Sequence, residues 1–197
     1  IVSRTLDPAS IGVDQRGYPQ LIDFRNSKQL HSNTERTMTM CGSPDYFAPE
    51  QVSPGNGHSL QVDLWALGVI LYEMLVGKTP FAAENEQDVY KNIIGHTKNG
   101  IKFPSDLSQN ISANCTNFIN KLCMPKEQNR IAASSSKNHK WLSKTNWSAI
   151  QNGGTQSPHA AFATNELENS KANKSITNSK IVTTASNGIN EYWAESF

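Results

Sequence analysis

Two carboxylates, Asp63 and Glu73, lie inside the most apolar stretch of the sequence, Gln61–Val76. A charged group is costly to bury unless a hydrogen-bond donor or a cation accompanies it. The pattern therefore predicts that each carboxylate has a partner, and the two are the first candidates for a functional or structural role.

The stretch that carries them is predicted to be a buried helix. A soluble helix that is apolar on every side must be covered by other elements. The stretch is shorter than the roughly 18 apolar residues that a membrane span needs, and Gly77 and Pro80 are typical of a helix end. Its apolar residues are Val62, Leu64, Trp65, Leu67, Val69, Ile70, Leu71, Met74, Leu75 and Val76.

A small hairpin and a long loop are predicted before this helix. Ile11 and Val13 alternate with other residues, Asp14–Gly17 has the composition of a turn, and Gln20–Phe24 reads as a second short strand. We expect a hairpin with a site at its mouth. Residues 25–52 are polar and interrupted by glycine and proline, and a loop of that length in a compact domain usually has a function.

Three further helices are predicted after the apolar one, at Asp88–Gly95, Ser112–Met124 and Lys137–Leu142. The first two show apolar residues at helical spacing, and Ser112 is a suitable N-cap for the second. The predicted fold class is therefore mainly α with a small β-hairpin.

Composition and charge exclude some classes of function. The formal net charge of +1 gives no field that would attract nucleic acid, and neither a signal peptide nor a membrane span is visible. Three cysteines without metal-ligand spacing indicate free thiols in a reducing, cytoplasmic compartment.

The end of the sequence has a different composition. Residues 151–190 are rich in Asn, Ser, Thr and Ala, so we expect disorder there. The aromatic end, Tyr192–Phe197, suggests docking onto another surface. Because the chain starts at Ile1 rather than at Met, we expect it to be a piece of a longer protein or a processed product.

Several motifs occur in an order that resembles the C-terminal lobe of a eukaryotic serine/threonine protein kinase, from the catalytic loop onward. The segments Thr37–Pro44, Lys137–Trp141 and Asn146-Trp147 are most similar to the cyclic-nucleotide-dependent, AGC-type kinases. Residues 1–150 would form a kinase-like C-terminal lobe, and residues 151–197 would be the family's tail. The ordered motifs are Asp23-Phe24, Cys41–Glu50 (CGSPDYFAPE), Val62–Gly68 (VDLWALG), Pro80-Phe81 and Arg130.

The resemblance implies structural roles for three residues. Glu50 would pair with Arg130 inside the lobe, and breaking such a buried pair on one side costs several kcal/mol. Asp63 would accept hydrogen bonds from the backbone of the catalytic loop and would anchor that loop to the buried helix.

The resemblance also implies an activation loop and a substrate surface. Thr39 matches the family's phosphorylation site, and Arg4 and Lys28 match the cations that receive the phosphate. Ser43 belongs to the substrate-binding (P+1) segment, and Glu73 matches an acidic residue that reads an arginine of the substrate in relatives that prefer basic peptides.

The catalytic loop departs from the family's pattern. Relatives read Arg-Asp-Leu-Lys-Pro-Glu-Asn where this chain has RTLDPAS at Arg4–Ser10. Thr5 replaces the catalytic Asp, and loss of a positioned base costs on the order of 100- to 10,000-fold in rate. Asp7 replaces the lysine that contacts the transferring phosphate, and Ala9 removes a carboxylate that helps to read basic substrates.

The metal-binding positions are also altered. Ser10 replaces the metal-binding Asn, Asp23 remains as the candidate magnesium ligand, and Arg25 replaces the Gly of Asp-Phe-Gly. The family's Gly-rich loop, its third-strand lysine and its helix glutamate precede the catalytic loop and do not occur in this sequence. The resemblance implies ATP and Mg²⁺ as cofactors, and we expect weak binding of both or none.

These departures leave several hypotheses open. The first is a catalytically degenerate, pseudokinase-like lobe that binds a protein substrate or a regulatory subunit through the Asp88–Gly95 helix and the activation-loop surface. The second is an active kinase whose N-terminal lobe is missing from this chain, with Asp7 or Ser10 compensating. The third is a decaying duplicate that does not fold stably. Whether the chain is an enzyme is left undecided by the sequence.

Overall fold

The chain folds as two units in the computed structural model, which describes residues 1–160 apart from 33, 54, 56, 97–99, 108, 156, 158 and 159. The first unit contains Ile1–Pro8 and Phe24–Ser143. The second contains Ala9–Asp23 and the described residues from Lys144 onward. The predicted disorder and the aromatic end of the tail, beyond residue 160, lie outside the described residues.

The first unit is helical, as predicted. Its helices are α1 (Pro49–Val52), α2 (Gln61–Val76), α3 (Glu86–Gly95), α4 (Ala113–Leu122) and α5 (Ala133–Ser136). Short 3₁₀ turns occur at Pro44–Tyr46, Glu127–Asn129 and Lys140–Leu142. The loop predicted over residues 25–52 therefore contains a 3₁₀ turn and α1. The helix predicted at Lys137–Leu142 is present only as the 3₁₀ turn Lys140–Leu142, and the helix before it, α5, already ends at Ser136.

Helix α2 forms the centre of this unit and confirms the prediction of a buried helix. Trp65 and Val69 are fully buried, and α4 packs against α2. Gly68 allows the two helices to approach closely, because a Cβ atom there would overlap Cys123 Sγ and would lie 2.9 Å from Leu122 Cβ. The helix ends at Gly77, whose φ of 81° is left-handed and favours glycine.

Capping side chains begin the two following helices. Asn85 accepts a hydrogen bond from the amide of Asp88 at the start of α3. Ser112 accepts one from the amide of Cys115 at the start of α4, as predicted. Both caps satisfy amide groups that would otherwise lack a partner within the helix.

The second unit contains the hairpin and one short helix. Strands β1 (Ile11–Val13) and β2 (Pro19–Leu21) pair antiparallel, with Ile11 opposite Leu21. In the turn, the Asp14 carboxylate accepts hydrogen bonds from the amides of Arg16 and Tyr18, and Gly17 has a φ of 80°. The hairpin prediction is confirmed.

The boundaries of the second strand differ from the prediction of Gln20–Phe24. Strand β2 ends at Leu21 because the chain opposite Ile22 is the 3₁₀ turn Pro8–Ser10 and not an extended strand. Helix α6 (Trp147–Gln151) was not predicted, although Asn146 caps it by accepting from the amide of Ala149.

Two further properties concern the described residues as a whole. None of their helices is both long enough and apolar enough to cross a membrane. All three cysteines are free thiols, and Cys115 and Cys123 are buried.

Candidate functional site

Asp63 holds the backbone of the segment that precedes Thr5. Its two carboxylate oxygens accept hydrogen bonds from the amides of Ser3 at 2.7 Å and Arg4 at 3.0 Å. Burial raises the pKa of Asp63, and the two amide hydrogen bonds oppose that rise. Arg4 has a φ of 68°, which is rare for a residue with a side chain, and the hydrogen bonds to Asp63 help to hold it there.

The side chain of Arg4 reaches the loop that the resemblance identifies as the activation loop. Its Nε donates to the carbonyl of Asn26 at 2.5 Å, and its Nη1 donates to Thr37 Oγ1 at 3.0 Å. Thr37 is buried and exchanges two backbone hydrogen bonds of 2.9 Å with His58. Thr39, the predicted phosphorylation site, has an exposed side chain two residues further on.

Lys28, the second predicted phosphate-binding cation, lies 3.6 Å from a carboxylate oxygen of Glu35. Its backbone pairs with Val2 through hydrogen bonds of 2.8 and 2.9 Å. The other oxygen of Glu35 accepts from the amide of His31 at 2.6 Å. The amide of His31, together with the ammonium group of Lys28, keeps the pKa of Glu35 below its usual value.

Thr5 is the residue predicted to stand where the family has its catalytic base. The hydroxyl of Thr5 is buried and has no hydrogen-bond partner among the described residues. Gly42 lies directly against the methyl group of Thr5, since a Cβ atom on Gly42 would lie 3.0 Å from Thr5 Cγ2. Asp7, two residues later, accepts a hydrogen bond from Ser43 Oγ at 3.1 Å. A hydroxyl without solvent access is unsuited to accept a proton from a substrate.

Glu50 and Arg130 form a bidentate salt bridge. Arg130 donates from Nη1 and Nη2 to the two carboxylate oxygens at 2.5 and 2.6 Å. Its other donors reach the carbonyls of Gln61 and Met124, and its guanidinium lies over the ring of Trp65 at 5.1 Å. The Arg130 side chain is fully buried, so this network ties the start of α1 to the start of α2.

Glu73, the second carboxylate of α2, also has a partner. It accepts a hydrogen bond of 2.6 Å from the hydroxyl of Tyr46. Burial and the neighbouring Glu73 carboxylate raise the pKa of Tyr46 well above its usual value. Asp45, beside Tyr46, accepts from Thr79 Oγ1 at 3.1 Å. The predicted substrate-reading carboxylate therefore lies beside the segment that contains Ser43.

The candidate metal ligands belong to the second unit. The carbonyl of Ser10 accepts from the amide of Ile22 at 2.9 Å, so the hairpin places Ser10 and Asp23 at the same end. Mg²⁺ prefers six oxygen ligands, usually with one or two carboxylates. The described residues contain no cluster of three or more acidic, histidine or cysteine side chains suited to a metal. With one carboxylate and a hydroxyl on a buried residue, the residues present fit magnesium poorly.

Glu35 and Arg36 make contacts that no sequence motif predicts. Arg36 donates from Nη2 to the carbonyl of Gly57 at 2.7 Å, and its Nη1 lies 2.8 Å from a carboxylate oxygen of Glu127. The available signal was weak: two adjacent opposite charges immediately before the Thr37–Pro44 motif.

Comparison with known proteins agrees with this arrangement. The family model described as protein kinase domain matches residues 1–142. A cAMP-dependent protein kinase, catalytic subunit-like, from Caenorhabditis briggsae is 38% identical over 152 residues, which cover 75% of this chain and 37% of that protein.

Two other relatives are more distant. The cGMP-dependent protein kinase 2 of Homo sapiens is 32% identical over 163 residues, which are 80% of this chain and 20% of that protein. The serine/threonine-protein kinase sck1 of Schizosaccharomyces pombe is 31% identical over 185 residues, which are 92% of this chain and 26% of that protein. The chain spans less than two-fifths of the length of each of these relatives.

Proposed function

This chain belongs to the protein kinase domain family, and we propose that it works as a protein-binding lobe and not as a phosphotransferase. The observation that carries the proposal is the buried hydroxyl of Thr5 at the position of the catalytic Asp. Phosphoryl transfer depends on a base or positioning residue, on metal ligands and on cations at the phosphates. Each of these three requirements is weakened in the described residues.

The charge at Asp7 supports the same conclusion. Relatives place a lysine where this chain places a carboxylate, so attraction to the transferring phosphate becomes repulsion. Asp7 also accepts a hydrogen bond from Ser43, which leaves it poorly suited to replace the missing base. ATP and Mg²⁺ are cofactors of the family, and we propose that this lobe does not depend on them.

The binding surface that we propose consists of Met38 and Met40 on the activation loop and Ile94 on α3, and we call it the docking face. Met38 is 70% exposed, Met40 46% and Ile94 56%. Helix α3 packs against α1 and the Pro44–Tyr46 turn, which follow the loop in the chain. Methionine side chains adapt their shape to a partner, so exposed methionines suit a protein interface.

The partner that we propose is a regulatory subunit or a protein substrate. One relative's name describes it as a catalytic subunit-like cAMP-dependent kinase, and a catalytic subunit implies an assembly with another chain. The free, buried thiols of Cys115 and Cys123 support a reducing compartment, and we propose the cytoplasm.

Calorimetric titration with a purified regulatory subunit of a cAMP-dependent kinase tests the docking face. We expect binding that Met38→Asp and Ile94→Asp each weaken at least tenfold, because a charge enters an apolar contact. Leu60→Asp, at another exposed apolar residue, is the matched control and should bind as the native chain does. Equal binding by all four proteins would contradict the docking face.

An active kinase is the second candidate, and it is supported by Asp23 together with Ser10 at one end of the hairpin. A phosphotransfer assay on the longest native product decides between the two. The proposed binding role predicts no transfer to a basic peptide. Transfer that Asp23→Ala abolishes and that Asp7→Asn reduces would establish the kinase instead.

A further inference from the structure

Three consecutive side chains fasten the activation loop to three different parts of the first unit. Glu35 pairs with Lys28 at 3.6 Å, and Arg36 pairs with Glu127 at 2.8 Å. Thr37 Oγ1 accepts a hydrogen bond from Arg4 Nη1 at 3.0 Å, and the backbone of Thr37 exchanges two hydrogen bonds with that of His58. These contacts hold this part of the loop in place through residues of the chain itself.

Both cations that the resemblance assigns to a phosphate on Thr39 are already engaged. Arg4 donates to the carbonyl of Asn26 and to the hydroxyl of Thr37, and Lys28 faces the carboxylate of Glu35. A phosphate on Thr39 would have to displace these contacts before it could bind the two cations.

Glu35 is itself held in position. Its carboxylate accepts from the amide of His31 at 2.6 Å, and its own amide donates to Ser32 Oγ at 3.1 Å. The carboxylate therefore presents a fixed negative charge to Lys28. An anion fixed beside a lysine supplies what a phosphate supplies in a charge-assisted contact.

We propose that Glu35 is a built-in anion that takes the place of a phosphate on Thr39, so that residues 35–37 are held in place whether or not Thr39 is modified. This inference concerns the order of the loop and does not rest on the proposed binding role. It assigns a role to Glu35, which belongs to no sequence motif: keeping the activation loop ordered.

Hydrogen exchange of the backbone amides of Glu35, Thr37 and His58 in the 197-residue chain tests the proposal. Glu35→Gln keeps an acceptor for the amide of His31 but removes the charge that faces Lys28. We expect these amides to exchange about threefold faster in this variant, the size of effect that a partly exposed ion pair has. Glu84→Gln, at another exposed glutamate, is the control and should exchange at the native rate.

A chain with phosphothreonine at position 39 provides the second arm. We expect phosphorylation, like Thr39→Ala, to change the exchange of the native chain less than twofold. In the Glu35→Gln background, phosphorylation should restore the native rate. The proposal is overturned if Glu35→Gln exchanges at the native rate, or if phosphorylation alone slows the native chain threefold or more.

Discussion

The residues around α2 and the segment at Thr5–Asp7 belong to the same unit but differ in how their polar groups are satisfied. Arg130 donates to Glu50 and to three carbonyls, and Asp63 accepts from two amides. The Thr5 hydroxyl, in contrast, is buried without a partner among the described residues. A buried polar group stabilises a fold only when its hydrogen bonds are made.

The difference separates what folding requires from what catalysis requires. The α2 surroundings contain the buried Glu50–Arg130 pair, and we expect the loss of either partner to destabilise the unit strongly. We expect Thr5 and Asp7, predicted to stand at the positions of the catalytic base and of the phosphate-binding lysine, to contribute less to stability than the buried pair. Fold and catalytic residues would then be separable in this chain.

The largest effect is expected when the buried Glu50–Arg130 pair loses one of its members. Arg130→Met should lower the free energy of unfolding by about 3–5 kcal/mol, because Glu50 is left without its cation. Urea denaturation measures the loss. Arg36→Met removes a partly exposed pair and should cost about 1 kcal/mol or less. If Arg130→Met lowers the free energy of unfolding as little as Arg36→Met does, the buried Glu50–Arg130 pair does not stabilise the fold as proposed.

Packing between α2 and α4 provides the next test. Gly68→Ala places a methyl group against Cys123 Sγ and Leu122 Cβ, and overpacking of this kind costs about 1–3 kcal/mol. The matched variant is Gly95→Ala at the end of α3, where no atom lies within 4 Å of the new methyl. It should stabilise the chain by up to about 1 kcal/mol. Equal thermal midpoints for the two variants would show that the helices do not pack this closely.

A pH dependence is expected from His58, which is buried with Nε2 unpartnered among the described residues. Burial is the main cause that lowers its pKa, with Arg4 and Arg36 adding to the effect and Glu50 and Glu127 opposing it.

Because the folded state then binds the proton less readily than the unfolded state, stability should fall as the pH drops below about 6.5. Urea midpoints at pH 5 and pH 7 should differ less for His58→Gln than for the native chain. His31→Gln, with an exposed side chain, should keep the native difference; if His58→Gln keeps it too, His58 is not the source.

The smallest effect is expected at Thr5, which is predicted to stand at the family's catalytic position. Thr5→Val removes a hydroxyl that has no partner and keeps the shape of the side chain, so the free energy of unfolding should change by less than about 1 kcal/mol. Phosphotransfer should be absent before and after the change. A loss of several kcal/mol would mean that the hydroxyl makes a stabilising hydrogen bond and would remove the contrast between the two regions.

The sequence by itself determined the elements with a local pattern. Helix α2 followed from apolar residues on every side and from Gly77, and the hairpin turn followed from Asp14 and Gly17. Such signals depend on neighbouring residues, and neighbours are read directly from the chain. The second strand was predicted to continue to Phe24, but it ends at Leu21. Its end depends on the 3₁₀ turn that precedes the first strand, and the residue pattern of the second strand does not reveal that turn.

The tertiary structure alone decided which groups meet in the activation loop. The resemblance identified Arg4 and Lys28 as cations for a phosphate, but Arg4 donates to Thr37, and Lys28 faces Glu35. Arg36 reaches Glu127 across 91 positions of the chain. Residues so far apart meet only when packing of the helices brings the two ends of the intervening segment together. No periodicity or spacing in the sequence predicts such a contact.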